Sequence, residues 1–163
     1  MLSEKMFEGL NDQMMYEFAS GHYYLAMAAY CKSIDLDGFA NFFIVQEAEE
    51  RMHAMKFFEY IDNREGDIKM TEIFAPKTDY KSLEDVFEVA LNHEKGVTKR
   101  INNLMDIAIK DNDHATQSFL RWFIDEQVEE EASMLAILKK LRFVGDNKQG
   151  LFLLDREIGQ RKE

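Results

Sequence analysis

Glu50 and His53 stand three residues apart in the stretch Gln46-Glu47-Ala48-Glu49-Glu50-Arg51-Met52-His53. On a helix that spacing aims a carboxylate oxygen and an imidazole nitrogen at one spot. The same face carries Phe39, Phe43, Gln46, Phe57 and Tyr60 at alternating steps of four and three, so it is otherwise apolar. An ionised carboxylate on a stripe that must be buried is costly unless a cation compensates it. Three further stripes repeat the pattern. They read Leu10, Met14, Glu17, Gly21, Tyr24 and Ala28; then Leu83, Phe87, Ala90, Glu94, Val97, Ile101, Leu104 and Ala108; then Phe119, Phe123, Gln127, Glu130, Met134, Ile137 and Leu141. Each holds one acidic residue near its middle.

Long helices rise about 1.5 Å per residue, so midpoints of similar rods meet at one level when they pack side by side. Glu17, Glu50, Glu94 and Glu130, with His53 and Gln127, would then converge in the interior. Without cations they would repel one another; with two divalent ions they become ligands. An oxygen-rich set with one His suits iron(II) or manganese(II) better than structural zinc. Two such ions about 3.5 to 4 Å apart could bind dioxygen together and each give it one electron. Tyr24, two turns from Glu17, is placed to hydrogen-bond a ligand or donate an electron. Glu49, Glu126 and Glu129 lie within a turn of the ligands and form either a solvated acidic face or an auxiliary cation site. A third cation is the better reading, since so many carboxylates at one level would draw one. His22, His93 and His114 fall off the stripes or near helix ends and read as surface residues. Trp122 and the thirteen Phe read as core or interface filling.

The elements that must position these groups are helices. Ser3 is a good N-cap for a first helix running to Lys32 or Ser33. A polar turn at Asp35 to Gly38 leads to a second helix over Phe39 to Glu65, stopped by Gly66. Residues 66 to 81 contain Pro76 and no long period, though Ile73 and Phe74 could lie on a helical surface. A connection of that length in a bundle is a crossover, which makes its flanking helices parallel. Ser82 opens the third helix with Asp85 as a capping box. The turn at Asp111 to Asp113 returns the chain antiparallel into a fourth helix, His114 to Arg142. After Gly145-Asp146-Asn147, the apolar segment Gly150 to Ile158 reads as a short fifth helix that buries itself against a neighbouring subunit. The fold class is all-α: a four-helix bundle with a long crossover between helices 2 and 3 and a short fifth C-terminal helix.

Composition agrees and narrows the partners. One Pro and eight Gly in 163 residues favour long helices, and that length fits a single domain over 1–163. A net charge of −11 disfavours nucleic acid and anionic membrane surfaces and attracts cations. No window is apolar enough to span a membrane. The lone Cys31 makes no intrachain disulfide and reads as a small buried side chain. The first six residues lack the apolar core of a signal peptide, so a cytoplasmic location is expected.

These residues strongly resemble the haem-free bacterial ferritins, from the Asn11-Asp12-Gln13 approach to Glu17 through the final Gly150-Leu151-Phe152 segment. The ferritin-like di-iron bundle is a known architecture for such carboxylate sets. The resemblance implies that Glu17, Glu50 and His53 hold a first iron. Glu94 and Glu130 would hold a second, with Glu50 bridging and Gln127 beside the pair. It further implies a third iron at Glu49, Glu126 and Glu129, and a functional tyrosine at Tyr24. Bacterioferritins and rubrerythrins carry a second Glu-x-x-His on the fourth helix, where this chain has Gln127-Val128-Glu129-Glu130. Bacterioferritins place the haem-ligating Met directly after the bridging Glu; here Arg51 stands there, so no haem is implied. No Cys-x-x-Cys offers a rubredoxin-type iron site.

By resemblance the chain is a ferroxidase and iron store. It would oxidise iron(II) to iron(III) with dioxygen or hydrogen peroxide and deposit mineral inside a homo-oligomeric, 24-subunit shell. Two other classes remain at this point. One is a smaller diiron bundle acting on peroxide or an organic substrate. The other is an interaction module whose buried acids pair with Lys or Arg, which the four stripes do not supply.

Overall fold

The computed structural model describes residues 2–161. Five helices follow in order: α1 Glu4–Ser33, α2 Asp37–Asn63, α3 Leu83–Lys110, α4 His114–Val144 and α5 Lys148–Ile158. Their caps are local. Ser3 accepts from the Met6 amide, Ser82 from Asp85, Asp113 from Thr116 and Asn147 from Gly150. The Asp85 carboxylate reaches back to the Lys81 amide at 3.0 Å, so the capping box closes one residue before the cap.

Helix α2 differs at both ends from the expected Phe39 to Glu65. It begins at Asp37, and its N-cap Leu36 makes no side-chain cap bond. The cap comes from α5 instead, where the Asp155 carboxylate accepts from the Phe39 amide at 3.0 Å. At the far end the left-handed residue is Glu65, with φ 58°, while the Gly66 amide donates to Ile61 O at 3.0 Å. Gly66 is needed for a different reason: a Cβ there would lie 1.9 Å from Phe7 Cε1. Helix α4 runs on to Val144, two residues past the expected end, and α5 starts at Lys148 because Asn147 caps it.

Two apolar clusters fix how the helices run. One joins the end of α1 (Tyr24 to Cys31), the start of α2 (Phe39 to Phe43), the start of α3 (Leu83 to Leu91) and the end of α4 (Met134 to Leu141). The other joins the start of α1, the end of α2 (Phe57, Ile61), the end of α3 (Val97 to Ala108) and the start of α4 (Leu120, Phe123). Helices α2 and α3 are therefore parallel to each other and antiparallel to α1 and α4. Residues 66–81 make the crossover that this requires, without helix or strand. Asn11 clamps its first part, donating to Asp67 O at 3.0 Å and accepting from the Lys69 amide at 2.7 Å. Tyr80 closes its last part, edge-on to Tyr30 at 5.3 Å. Ile73 and Phe74 do not lie on a helix surface as expected; they are exposed, Phe74 by 70%.

Helix α5 forms as expected and packs one side on its own bundle. Leu154 is buried in the chain's own core with Leu151 and Ile158 against it, while Phe152 and Leu153 face outward. Gly38 lets α5 approach α2, since a Cβ there would meet the Asp155 carbonyl oxygen at 1.7 Å. Its apolar surface is thus divided between its own bundle and the exterior. No helix among the described residues is long and apolar enough to cross a membrane.

Candidate metal centre

The four midpoint carboxylates sit between the two clusters, one per helix. Glu17, Glu50 and Glu94 are at most 1% exposed and Glu130 is 5% exposed. Each was carried inside by its stripe, because every other stripe residue on the four helices is buried or, at Tyr60 and Phe119, half-buried. A buried phenyl contributes roughly 1.5–3 kcal/mol. The rings of Phe39, Phe43, Phe57, Phe87 and Phe123, all fully buried, help offset the desolvation of the acids.

Glu17, Glu50 and His53 form one group whose donor atoms lie within 4.8 Å of one another, and His53, Glu126 and Glu130 form a second. His53 is common to both. Glu17 Oε2, Glu50 Oε2 and His53 Nε2 are buried and have no hydrogen-bond partner among the described residues. His53 Nδ1 lies 3.6 Å from Glu50 Oε2, too far for a hydrogen bond. Buried polar atoms are ordinarily satisfied, so two carboxylates that each leave one buried oxygen unpaired, grouped with the His53 ring, are the arrangement a cation would complete. Iron(II) fits this donor set of carboxylate oxygens and one imidazole.

Surrounding groups hold the ligands from behind. Gln13 donates to Glu17 Oε1 at 2.7 Å, and Arg100 donates to Gln13 Oε1 at 2.9 Å. Gln46 donates to Glu130 Oε2 at 2.7 Å. The Tyr24 hydroxyl donates to Glu94 Oε1, and Gln127 donates to Glu94 Oε2 at 3.0 Å and to the Glu94 carbonyl at 3.2 Å. Glu94 thus has both oxygens engaged and belongs to neither three-residue group. None of the four carboxylates touches a Lys or Arg among the described residues.

The electrostatics follow from this crowding. Burial first, and then the Glu50 charge, hold the Glu17 carboxyl well above the usual range. Burial and then Glu94 do the same to Glu50. Burial raises Glu94, and burial followed by the Glu94 charge brings Glu130 to about 7. Tyr24 is raised well above its ordinary value by burial and by Glu94. Dense buried acids of this kind bind protons when no cation is at hand and exchange them for one when it arrives.

The auxiliary trio is spread out. Glu126 joins the His53–Glu130 group, Glu129 is exposed and in neither group, and Glu49 pairs with Arg161 at 2.5 Å. His93 is not the surface residue expected: it is half-buried, bonded to Ser20 at 2.7 Å and stacked on Tyr16 at 5.3 Å. Burial lowers it to about 4, so it is a neutral packing group. Trp122 packs its ring edge-on to His53 at 5.4 Å under Lys56. Gln13 as a support could have been found from its place four residues before Glu17, and Gln46 from its place on the α2 stripe. Nothing local marks Trp122 or Arg161. Cys31 is fully buried, with its thiol pushed up to about 12 by burial, which makes it inert.

Comparison with known proteins bears on this arrangement. The ferritin-like domain family matches residues 7–144. The bacterial non-heme ferritin of Staphylococcus aureus strain MRSA252 is 46% identical over 161 residues, 99% of this chain and 97% of that protein. That of Staphylococcus haemolyticus is likewise 46% identical over the same shares. The open-pore ferritin of the archaeon Archaeoglobus fulgidus superposes with a TM-score of 0.98 at 45% identity, covering 99% of this chain and 100% of that one. The family match runs through all four long helices that deliver the buried acids, and the overlap with whole ferritins is nearly complete. This chain belongs to the ferritin family.

Proposed function

We propose that this chain, acting over 1–163 as one ferritin-like unit, is an iron-storage subunit that oxidises iron(II) at the buried centre. Family membership supports the storage role. The observation that carries the oxidation step is the Glu17, Glu50 and His53 group, in which each carboxylate leaves one buried oxygen without a protein partner. Glu17, Glu50 and His53 would take one iron(II) substrate ion. Glu94 and Glu130 would take the second, with Glu50 between them and Gln127 at the side. Glu49, Glu126 and Glu129 would serve a third, more weakly held ion.

Anionic ligands stabilise iron(III) over iron(II), so a pocket of carboxylates lowers the cost of removing an electron. Two iron(II) ions give one electron each, and dioxygen takes the pair with two protons to leave as hydrogen peroxide. With hydrogen peroxide as oxidant, the same two electrons and two protons yield two waters. The buried rings of Phe43 and Phe123 limit water around the ligands and strengthen the attraction between their charges and a cation. Tyr24, hydrogen-bonded to Glu94, orients that ligand and is close enough to supply an electron. Iron(III) would pass to the interior of a 24-subunit homo-oligomer and deposit as mineral, in the cytoplasm and without haem.

Stopped-flow absorbance after mixing metal-free protein with iron(II) in air tests this. Glu50→Ala or His53→Ala should slow the initial oxidation by at least the 10- to 100-fold or so that loss of a mere outer-sphere partner costs. An unaltered initial rate would exclude this site.

A further inference from the structure

Arg161 lies near the end of the chain, 115 residues from Gln46 of α2 in sequence, yet its side chain is seated on that helix. Phe42, Gln46 and Glu49 follow one another at steps of four and three and present a single face. The guanidinium carbon stands 4.5 Å from the centre of the Phe42 ring. One terminal nitrogen donates to Gln46 Oε1 at 2.8 Å and the other to Glu49 Oε2 at 2.5 Å. The backbone is tied down as well, with Asn41 Nδ2 donating to the carbonyls of Gly159 at 3.4 Å and Arg161 at 3.1 Å. Both charged partners are about three-quarters covered, with 26% and 28% of their side-chain surfaces exposed. Stacking, a forked pair of charge-assisted bonds and a fixed backbone distinguish this contact from a casual surface ion pair.

The contact also has an inner side. Because Gln46 Oε1 accepts from Arg161, its Nε2 is turned toward Glu130 Oε2, where it donates at 2.7 Å. A charge held by the C-terminal segment therefore occupies Glu49 and steadies Glu130 through one amide.

We infer that Arg161 is a built-in competitor for the auxiliary cation. A metal ion that takes Glu49 Oε2 as a ligand, or both oxygens together, must displace the guanidinium bonded there. The inference rests on the reading of Glu49 as an auxiliary ligand given above. Arginine has no acceptor and keeps its proton, so the exchange is of one cation for another with no proton released at Arg161. Displacement also frees Gln46 from Arg161, so filling the auxiliary position relaxes the amide that supports Glu130.

Anaerobic titration of the metal-free full chain with cobalt(II), followed by its visible absorption and by calorimetry, tests the inference. The wild type should take two ions per chain before a weaker third. Arg161→Ala should tighten the third step roughly fivefold, the factor expected for losing one partly covered ion pair. Arg161→Lys, which keeps the charge but loses the fork, should fall between. In a Glu49→Gln background Arg161→Ala should change nothing. An unchanged or weakened third step in Arg161→Ala, or the same gain in the Glu49→Gln background, would overturn the inference. Absence of the first two steps in the wild type would overturn the diiron reading itself, and this inference with it.

Discussion

Each acid of the centre is defined by where its stripe carries it. Glu17, Glu50, Glu94 and Glu130 could be picked out in the sequence because a carboxylate is conspicuous against a four-and-three run of apolar neighbours. Arg161, Trp122 and His93 could not, because their partners are distant in sequence or off the stripes and obey no period. The acids also set a pH dependence. The folded-state value of Glu130, about 7, lies above its ordinary 4.5. Its contribution to stability is therefore complete below about 4.5 and is lost as pH rises through 7. Metal-free Glu130→Gln should gain stability relative to wild type over that interval, by up to roughly 3 kcal/mol, as read from denaturation at pH 5 and pH 8. A constant difference between the two proteins would mean that Glu130 is not strained by burial. Metal ions compete with the same protons, so affinity should rise over the same interval.

At the scale of the elements, the long helices were legible from Ser3 and Ser82 as caps, from the turn at Asp111 to Asp113 and from the stripes as faces. What was not legible is contact between remote pieces. Leu36 cannot cap α2, so Asp155 does it from α5, and Gly38 leaves room for that approach. The same docking brings Arg161 over Gln46 and Glu49. Gly38→Ala should push α5 off α2 and lower thermal stability by roughly 1–3 kcal/mol, the usual cost of forcing extra bulk into a packed contact. Hydrogen exchange should show the loss concentrated in α5. A variant that melts like the wild type with α5 equally protected would show that the close approach is not needed.

For the whole molecule, charge and surface point outward from the centre. A net charge of −11 draws iron(II) toward the protein. Phe143, Phe152 and Leu153, exposed by 92%, 60% and 62%, are more apolar surface than a solitary bundle needs. Light scattering should give a particle of about half a megadalton, 24 copies of a 19.1 kDa chain; a dimer would contradict the shell and favour a smaller diiron protein. The central claim, that four helices meet to hold a pair of iron ions, is tested most directly by anomalous diffraction from a crystal soaked anaerobically in iron(II). Two peaks should appear in each subunit, one among Glu17, Glu50 and His53 and one among Glu50, Glu94 and Glu130. Peaks confined to the surface, or none at this level, would contradict the account.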